Sequence, residues 1–341
     1  MSSTDSAPSV AVTARKLVRR KSQAQEILEN CLGLVAVLIL LIAVFGLSTA
    51  HFFSITTFTS IANEIPTSAL IAVGMTFVLI IAGIDLSVGS VLAVSGGVLG
   101  VAMVQWHLPV WIAMIACVLV GAFCGLINGA LTVRFQLPSF IVTLGLLEAA
   151  RGAAYLVTNS QTQYIGADIE QVNDFTIFGL SLPFFVALIV VVVGQLILTG
   201  TVFGRYMIAI GTNEEAARLS GIDPRPIKIA VFIISGALSG VAAIAYCARL
   251  ASVDPNAGSG FELEAIAAVV IGGTSLMGGR GSVINSLFGV LVISVLETGL
   301  AQLGAQEPVK RLVTGGVIVA AVIVDFYRTR RAEAKSRAAN G

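Results

Sequence analysis

Residues 201–228 read TVFGRYMIAIGTNEEAARLSGIDPRPIK, the one long charged island inside an otherwise hydrophobic chain. Asn213 is placed to cap a short helix with Glu214 and Glu215 in its first turn, where carboxylates oppose the positive end of the helix dipole, and Gly221 supplies a left-handed stop. Helical spacing puts Ala216, Leu219 and Ile222 on one face and leaves Glu214, Glu215 and Arg218 in water. So short a helix is marginal by itself in water. It must be held by its own flanking membrane helices or seated in a groove of another protein.

On either side of this island the chain reads as a membrane protein. Of its 341 residues, 56% are hydrophobic and 11% charged, against roughly 25% charged in a soluble domain. Apolar runs of about 20 residues, the length that crosses a bilayer, fall at 31–50, 65–82, 88–106, 109–132, 137–157, 182–200, 227–248, 262–278, 282–303 and 309–326. The expected fold is all-α: a polytopic membrane protein of about ten transmembrane helices, one or two of them broken or re-entrant. Residues 1–30 form an N-terminal tail, 31–326 the membrane domain with its 201–228 loop, and 327–341 a C-terminal tail. Pro66, Pro109, Pro138, Pro183 and Pro308 stand in the first turns of five of the expected spans, where a missing N–H costs nothing.

An even number of spans puts both tails on one side of the membrane. With that side cytoplasmic, 16 of the 20 Lys and Arg face inward, and the outer connections 51–64 and 158–181 carry none. Lys310 and Arg311 are the main exceptions. The basic cluster Arg15, Lys16, Arg19, Arg20 and Lys21 precedes an apolar run too long for a cleaved signal, so the first span reads as a signal-anchor.

Two hairpins interrupt the pattern. In the first, residues 65–105 carry a single charge, Asp85, at the turn: Gly83 fits a helix C-cap and Asp85 or Ser87 the next N-cap, either in a tight turn at the cytoplasmic surface or in one drawn into the membrane beside a pathway. In the second, few residues separate Glu262 from the Gly272-Gly273 pair, which favours a broken helix; glycines for close helix packing are the other reading. Irregular backbone at membrane depth is tolerated only where protein or a water-filled cavity surrounds it, so Gly272, Gly273, Thr274 and Ser275 join Gly83, Asp85 and Ser87 as pathway or turn candidates.

Catalysis finds little support. His51 and His107 are the only histidines, no GxxxxGK[ST] phosphate loop is present, and neither a nucleophile–histidine arrangement nor a metal site is suggested. Cys31, Cys117, Cys124 and Cys247 lie in apolar segments without CxxC spacing, so neither a disulfide framework nor a zinc site is indicated. Glu148 and Arg151 stand one turn apart inside the fifth span, where a mutual intramembrane pair is the cheaper arrangement. Glu297 is a further intramembrane acid and a pathway candidate. Glu64, Arg249, Asp254, Glu262 and Glu264 gather at outer span ends, either as solvated loop charges or as a docking surface for an extracytoplasmic partner.

Three stretches, VGMTFVLIIAGIDLSVGS at 73–90, GRYMIAIGTNEEAARLSGI at 204–222 and GSGFELEAIAAVVIGGTSLMGGRGS at 258–282, resemble the permease subunit of bacterial ATP-binding-cassette importers for simple sugars, most closely the ribose-type permeases. The resemblance covers about residues 60–326. It implies a multi-pass protein of the bacterial inner membrane with three protein partners: a cytoplasmic ATPase that uses ATP and Mg, a periplasmic sugar-binding protein, and a second permease subunit, identical or related. No cofactor is bound by this chain and no nucleic acid is involved. It further implies that an EAAxxxG loop docks on the ATPase, a pattern matched by Glu215, Ala216, Ala217 and Gly221 within the coupling helix that also holds Asn213, Glu214 and Arg218. The usual downstream IxLP is absent; IDPRPIKIAVF follows Gly221 instead. Rival classes are a related permease for another small polar solute, an ion-coupled secondary transporter using Asp85, Glu148 and Glu297, and a membrane-embedded enzyme. The transporter would leave the EAAxxxG loop without a role, and the enzyme lacks a catalytic constellation.

Overall fold

The computed structural model describes residues 23–49, 51–306, 308–317, 319–320 and 323, with side chains from residue 32 onward. The N-terminal basic cluster, the side chain of Cys31 and the C-terminal tail lie outside the described residues. The chain is helical and runs α1 (Gln23–Ser48), α2 (Ile55–Ile80), α3 (Val88–Val104), α4 (Val110–Phe135) and α5 (Ser139–Val157). A small polar crossover follows, with β1 (Gln163–Tyr164), α6 (Ala167–Asp174), β2 (Thr176–Ile177) and β3 (Leu180–Ser181). Then come α7 (Leu182–Gly200), α8 (Val202–Thr212), α9 (Glu214–Leu219), α10 (Pro224–Leu250), β4 (Ser252–Val253), α11 (Phe261–Ile271) and α12 (Val283–Gln302), and the backbone is helical again at 308–317. The antiparallel pairs β1–β4 and β2–β3 are the only sheets among the described residues.

Among the described residues six helices, α2, α4, α5, α7, α10 and α12, are long and apolar enough to cross a bilayer, and Leu32–Ser48 within α1 and α3 are shorter apolar helices. Their apolar surfaces are shared unequally: 83% of the hydrophobic window of α2 is buried inside the protein, against 17% of that of α5. Helix α2 is therefore the central post, touching α7, α8, α10, α11 and α12, while α5 stands at the edge with Phe140, Ile141 and Leu144 turned away from the bundle. Between α4 and α10 the backbones touch directly. A Cβ on Gly121 would lie 2.2 Å from the carbonyl oxygen of Gly236, and one on Gly236 would lie 2.1 Å from that of Gly121. Small residues at such a crossing give close van der Waals packing where lipid supplies no hydrophobic drive.

The structure corrects the expected start of α2. Pro66 is not in its first turn but inside a helix that begins at Ile55, capped by Ser54, whose hydroxyl accepts from the Thr57 amide at 3.2 Å. Hydropathy hides this start because residues 55–64 are largely polar, yet Thr57 and Ile61 are buried there, as is Phe52 just before it. The other proline positions behave as expected: Pro109 and Pro138 are N-caps and Pro183 lies in the first turn of α7.

Candidate functional site

The 201–228 island folds as three pieces. Thr201 caps α8, accepting from the Gly204 amide at 3.2 Å; Asn213 caps α9, accepting from the Ala216 amide at 3.0 Å; and Asp223 opens α10 by accepting from the Arg225 amide at 3.0 Å. Gly221 has φ +85°, the left-handed stop that its position asked for. The buried face of α9 differs from expectation. Ala217 is buried at 6% exposure, whereas Ala216 points outward and Leu219 is 79% exposed. The side chains of Glu214, Glu215 and Arg218 are in solvent: Arg218 pairs with Glu215 at 2.8 Å, and Lys228 of α10 pairs with Glu214. Helix α9 thus rests on its neighbours through one small side chain and offers an apolar one outward.

Helix α8 carries the island to the two irregular turns. At its end, a Cβ on Gly211 would fall 1.7 Å from the carbonyl oxygen of Ile80 and 2.7 Å from the amide nitrogen of Gly279. The Gly279 amide donates to that same Ile80 carbonyl at 2.9 Å, so the last turn of α2, the turn after α11 and the end of α8 meet backbone to backbone. Gly278 and Gly279, with φ +84° and +74°, make the approach possible.

The two turns share one closing geometry. After α2, the Ala82 amide donates to Leu79 and the Gly83 amide to Val78; after α11, the Gly273 amide donates to Val270 and the Thr274 amide to Val269. Each is a Schellman closure. In the first, the left-handed residue is Ala82, φ 58°, and not Gly83. Asp85 is not at a solvated surface either: it is 2% exposed, held between α4 and α10. Its Oδ1 accepts from the Ser87 amide at 3.0 Å and the Ser87 hydroxyl at 2.7 Å, and its Oδ2 accepts from Ser235 at 3.0 Å. Asn128 donates to the Ser87 hydroxyl at 2.9 Å. Ser87 occupies the N-cap position of α3 without a side-chain capping bond, because its hydroxyl is committed to Asp85. The irregular backbone is satisfied by α5, where Ser139 accepts from the Ile84 amide at 2.9 Å and Thr143 from the Leu86 amide at 3.1 Å. In the second turn Gly272 is the C-cap of α11, and Thr274 and Ser275 are buried. Helix α11 has only 11 residues, so the helix expected at 262–278 is broken. Gln195 of α7, unremarked in the sequence, caps the helix that follows: its Oε1 accepts from the Val283 amide at 2.9 Å and the Ile284 amide at 3.2 Å.

The remaining candidates lie at the opposite end of α2. Arg249 approaches Glu64 at 3.5 Å, and both line a cavity with Glu264 and Glu297. Asp254 accepts from the Asn256 amide at 2.7 Å, and Glu262 faces Gly89, where a Cβ would lie 2.7 Å from its Oε2. The expected Glu148–Arg151 pair is replaced by another arrangement. Glu148 is exposed, and the Arg151 guanidinium donates to the carbonyls of Pro255 at 2.6 Å and Ala257 at 2.8 Å. Two carbonyls of an irregular loop satisfy the fork without burying a second charge. Truncating Arg151→Leu should therefore lower stability by about 2–3 kcal/mol, as for charged hydrogen bonds left unmade, while Glu148→Gln changes it little. Thermal unfolding of the purified protein checks this; a double variant more stable than Arg151→Leu alone would restore the ion pair as the explanation.

Cys117, Cys124 and Cys247 are free thiols, all buried. Among the described residues no group of three His, Cys, Asp or Glu side chains is arranged to hold a metal ion.

Against known proteins, residues 57–322 match the family described as branched-chain amino acid transport system / permease component. The ribose import permease protein of Haemophilus influenzae is 40% identical over 85% of this chain and 91% of its own length. The D-allose transport system permease protein of Escherichia coli K12 is 38% identical over 86% of this chain and 90% of its own. The fructose import permease protein of Rhizobium meliloti is 35% identical over 85% and 84%. No solved structure matches the chain. A match across nearly the whole helical body, with the two irregular turns and the α8–α9 segment inside it, makes this chain a member of that family of transport-system permease components.

Proposed function

We propose that the chain is the membrane-spanning subunit of a bacterial ATP-binding-cassette importer for a simple sugar of the ribose type. It would sit in the inner membrane with both tails cytoplasmic, and form the translocation pathway with a second permease subunit. The family description names amino acids, but relatives 35–40% identical to this chain carry sugar names, and the sugar reading rests on them. ATP and Mg belong to the partner ATPase. Glu64, Arg249, Asp254, Glu262 and Glu264 are at the end where a periplasmic binding protein would deliver its cargo.

The observation that carries the proposal is the apolar knob of α9. Leu219, 79% exposed, projects from α9, which follows α8 directly, and Met277, 82% exposed, from the 272–282 turn that touches the end of α8. Exposed apolar side chains beside charged ones suit insertion into a cleft of another protein. Motion of that cleft would reach the turns through the Gly211–Ile80–Gly279 contact. The pathway candidates Gly83, Asp85, Ser87, Gly272, Gly273, Thr274 and Ser275 belong to those turns.

The test is copurification of a tagged ATPase together with sugar uptake, for Ala216→Trp, Gly221→Val and the control Glu170→Ala at the other end. Ala216 is exposed, so bulk there should leave the permease at near-normal level in the membrane and block the partner. Gly221 has open space for a side chain but a left-handed backbone that β-branched residues resist, so valine should displace the entry to α10. Both loop variants should lose uptake by at least about tenfold, equivalent to ~1.4 kcal/mol of coupling. Normal uptake by Ala216→Trp would remove the docking role of α9.

A further inference from the structure

Glu64, Glu264 and Glu297 line both a cavity of about 80 Å³ between α2, α10, α11 and α12 and an adjoining cleft of about 550 Å³ that reaches the helical segment 308–317. Glu64 precedes Ile80 by sixteen positions on α2, about 24 Å of helix, so this cavity is far from the α8 contact. Its walls also carry Arg249, the ring of Phe261 and the hydroxyls of Thr67 and Ser294. Phe261 and Arg249 are fixed by a common neighbour: the ring packs edge-on against Tyr246 at 6.1 Å, and the guanidinium lies 5.9 Å above it.

The hydroxyls point to a ligand. Thr67 and Ser294 are 5% and 8% exposed, and neither has a hydrogen-bond partner among the described residues. Within the same helix Thr76 returns its hydroxyl to the Ala72 carbonyl at 2.6 Å, so the idle hydroxyl of Thr67 is not a general habit of α2. Thr314, lining the adjoining cleft, is also buried with an unpartnered hydroxyl. Buried polar groups are nearly always satisfied, and idle ones grouped around a cavity match a guest that brings its own donors and acceptors. Carboxylates that accept, a guanidinium that donates, hydroxyls that do either and an aromatic face for C–H groups together fit an uncharged polyol ring. A divalent cation fits less well, since Arg249 sits against one of the carboxylates and no metal-holding group is present among the described residues.

The geometry assigns this cavity as a contact site for the transported monosaccharide, at which the permease itself discriminates among sugars. The assignment rests on the reading of the chain as a sugar-importer permease. Contacts there must be weak enough for the sugar to leave again, so the effect is on selective passage rather than on tight retention. Glu264, Glu297, Phe261 and Ser294 are its specificity-determining residues.

The experiment uses the whole importer, permease with ATPase and binding protein, in proteoliposomes, with labelled D-ribose, D-allose and D-fructose as probes. For Glu264→Gln, Ser294→Ala and Phe261→Leu the maximal uptake rate should fall about tenfold for the preferred sugar, the effect of losing one hydrogen bond or one packed face. The three sugars should be affected by different factors, whereas a merely structural defect would lower all three alike. In addition, the emission of Phe261→Trp in an otherwise tryptophan-free permease should shift on addition of millimolar D-ribose and not of calcium chloride. Wild-type import with variants that keep both rate and sugar ranking overturns the site alone, as does a tryptophan that answers to calcium and not to sugar. A wild-type importer that takes up none of the three sugars overturns the sugar reading and the site with it.

Discussion

Gly211→Val should abolish sugar uptake, and Gly211→Ala should reduce it by more than about tenfold, while Gly200→Ala, at a glycine with nothing within 4 Å, should change it little. The reason is a backbone contact and not a side-chain one. Any Cβ at 211 would stand 1.7 Å from the Ile80 carbonyl oxygen, so α8 must withdraw from α2, and withdrawal removes the support of the Gly279–Ile80 hydrogen bond as well. Overpacking of this kind costs about 1–3 kcal/mol or more, and no flexible side chain is there to yield. Uptake in whole cells, normalised to the amount of permease in the membrane, measures the effect. A Gly211→Val permease that transports within about twofold of the parent would show that α8 does not need this contact.

Asp85→Leu should be the most destabilising single change in the membrane domain. It leaves the Ser87 amide, the Ser87 hydroxyl and the Ser235 hydroxyl without that acceptor in a buried site. At about 1–3 kcal/mol for each unsatisfied group, the loss is roughly 3 kcal/mol at least, a large part of a marginal total. Asp85→Asn keeps one carbonyl oxygen and should fall in between. Ser235→Ala removes one donor and leaves the carboxyl otherwise bonded, for about 1 kcal/mol. Melting of the purified permease in detergent orders these three; the same midpoint for Asp85→Leu and Ser235→Ala would mean that the turn is not held by the carboxyl.

Local features were legible in the sequence wherever a residue acts on its near neighbours. Asn213 and Gly221 bound their helix from both ends, and the Gly272-Gly273 pair breaks α11 as its spacing suggested. What escaped depends on partners distant in the chain. Sequence spacing pairs Arg151 with the nearest acid, but its acceptors come from Pro255 and Ala257, more than a hundred residues on. Ala217 and not Ala216 is the seat of α9, because the direction of burial is set by α8 and α10 and not by the two turns themselves. The first turns of α2 are invisible to hydropathy since they are helical, polar and packed. Gly211 carried no local mark at all; an isolated glycine ending an apolar helix reads as an ordinary stop.

The groups that complete the turn after α2 are translated in an order that matters for how the protein is made. Ile84, Asp85 and Leu86 emerge first, Ser139 and Thr143 arrive more than fifty residues later, and Ser235 a hundred and fifty residues after Asp85. Until α5 has emerged the first hairpin has unmatched amides, and until α10 has left the ribosome its carboxyl has no serine from α10 to meet it. Released into lipid before then, the pair would carry those polar groups without partners, which hydrocarbon penalises. Assembly of this permease is in that sense retrospective: its central post is synthesised early, and is completed only when the second half of the chain returns to it.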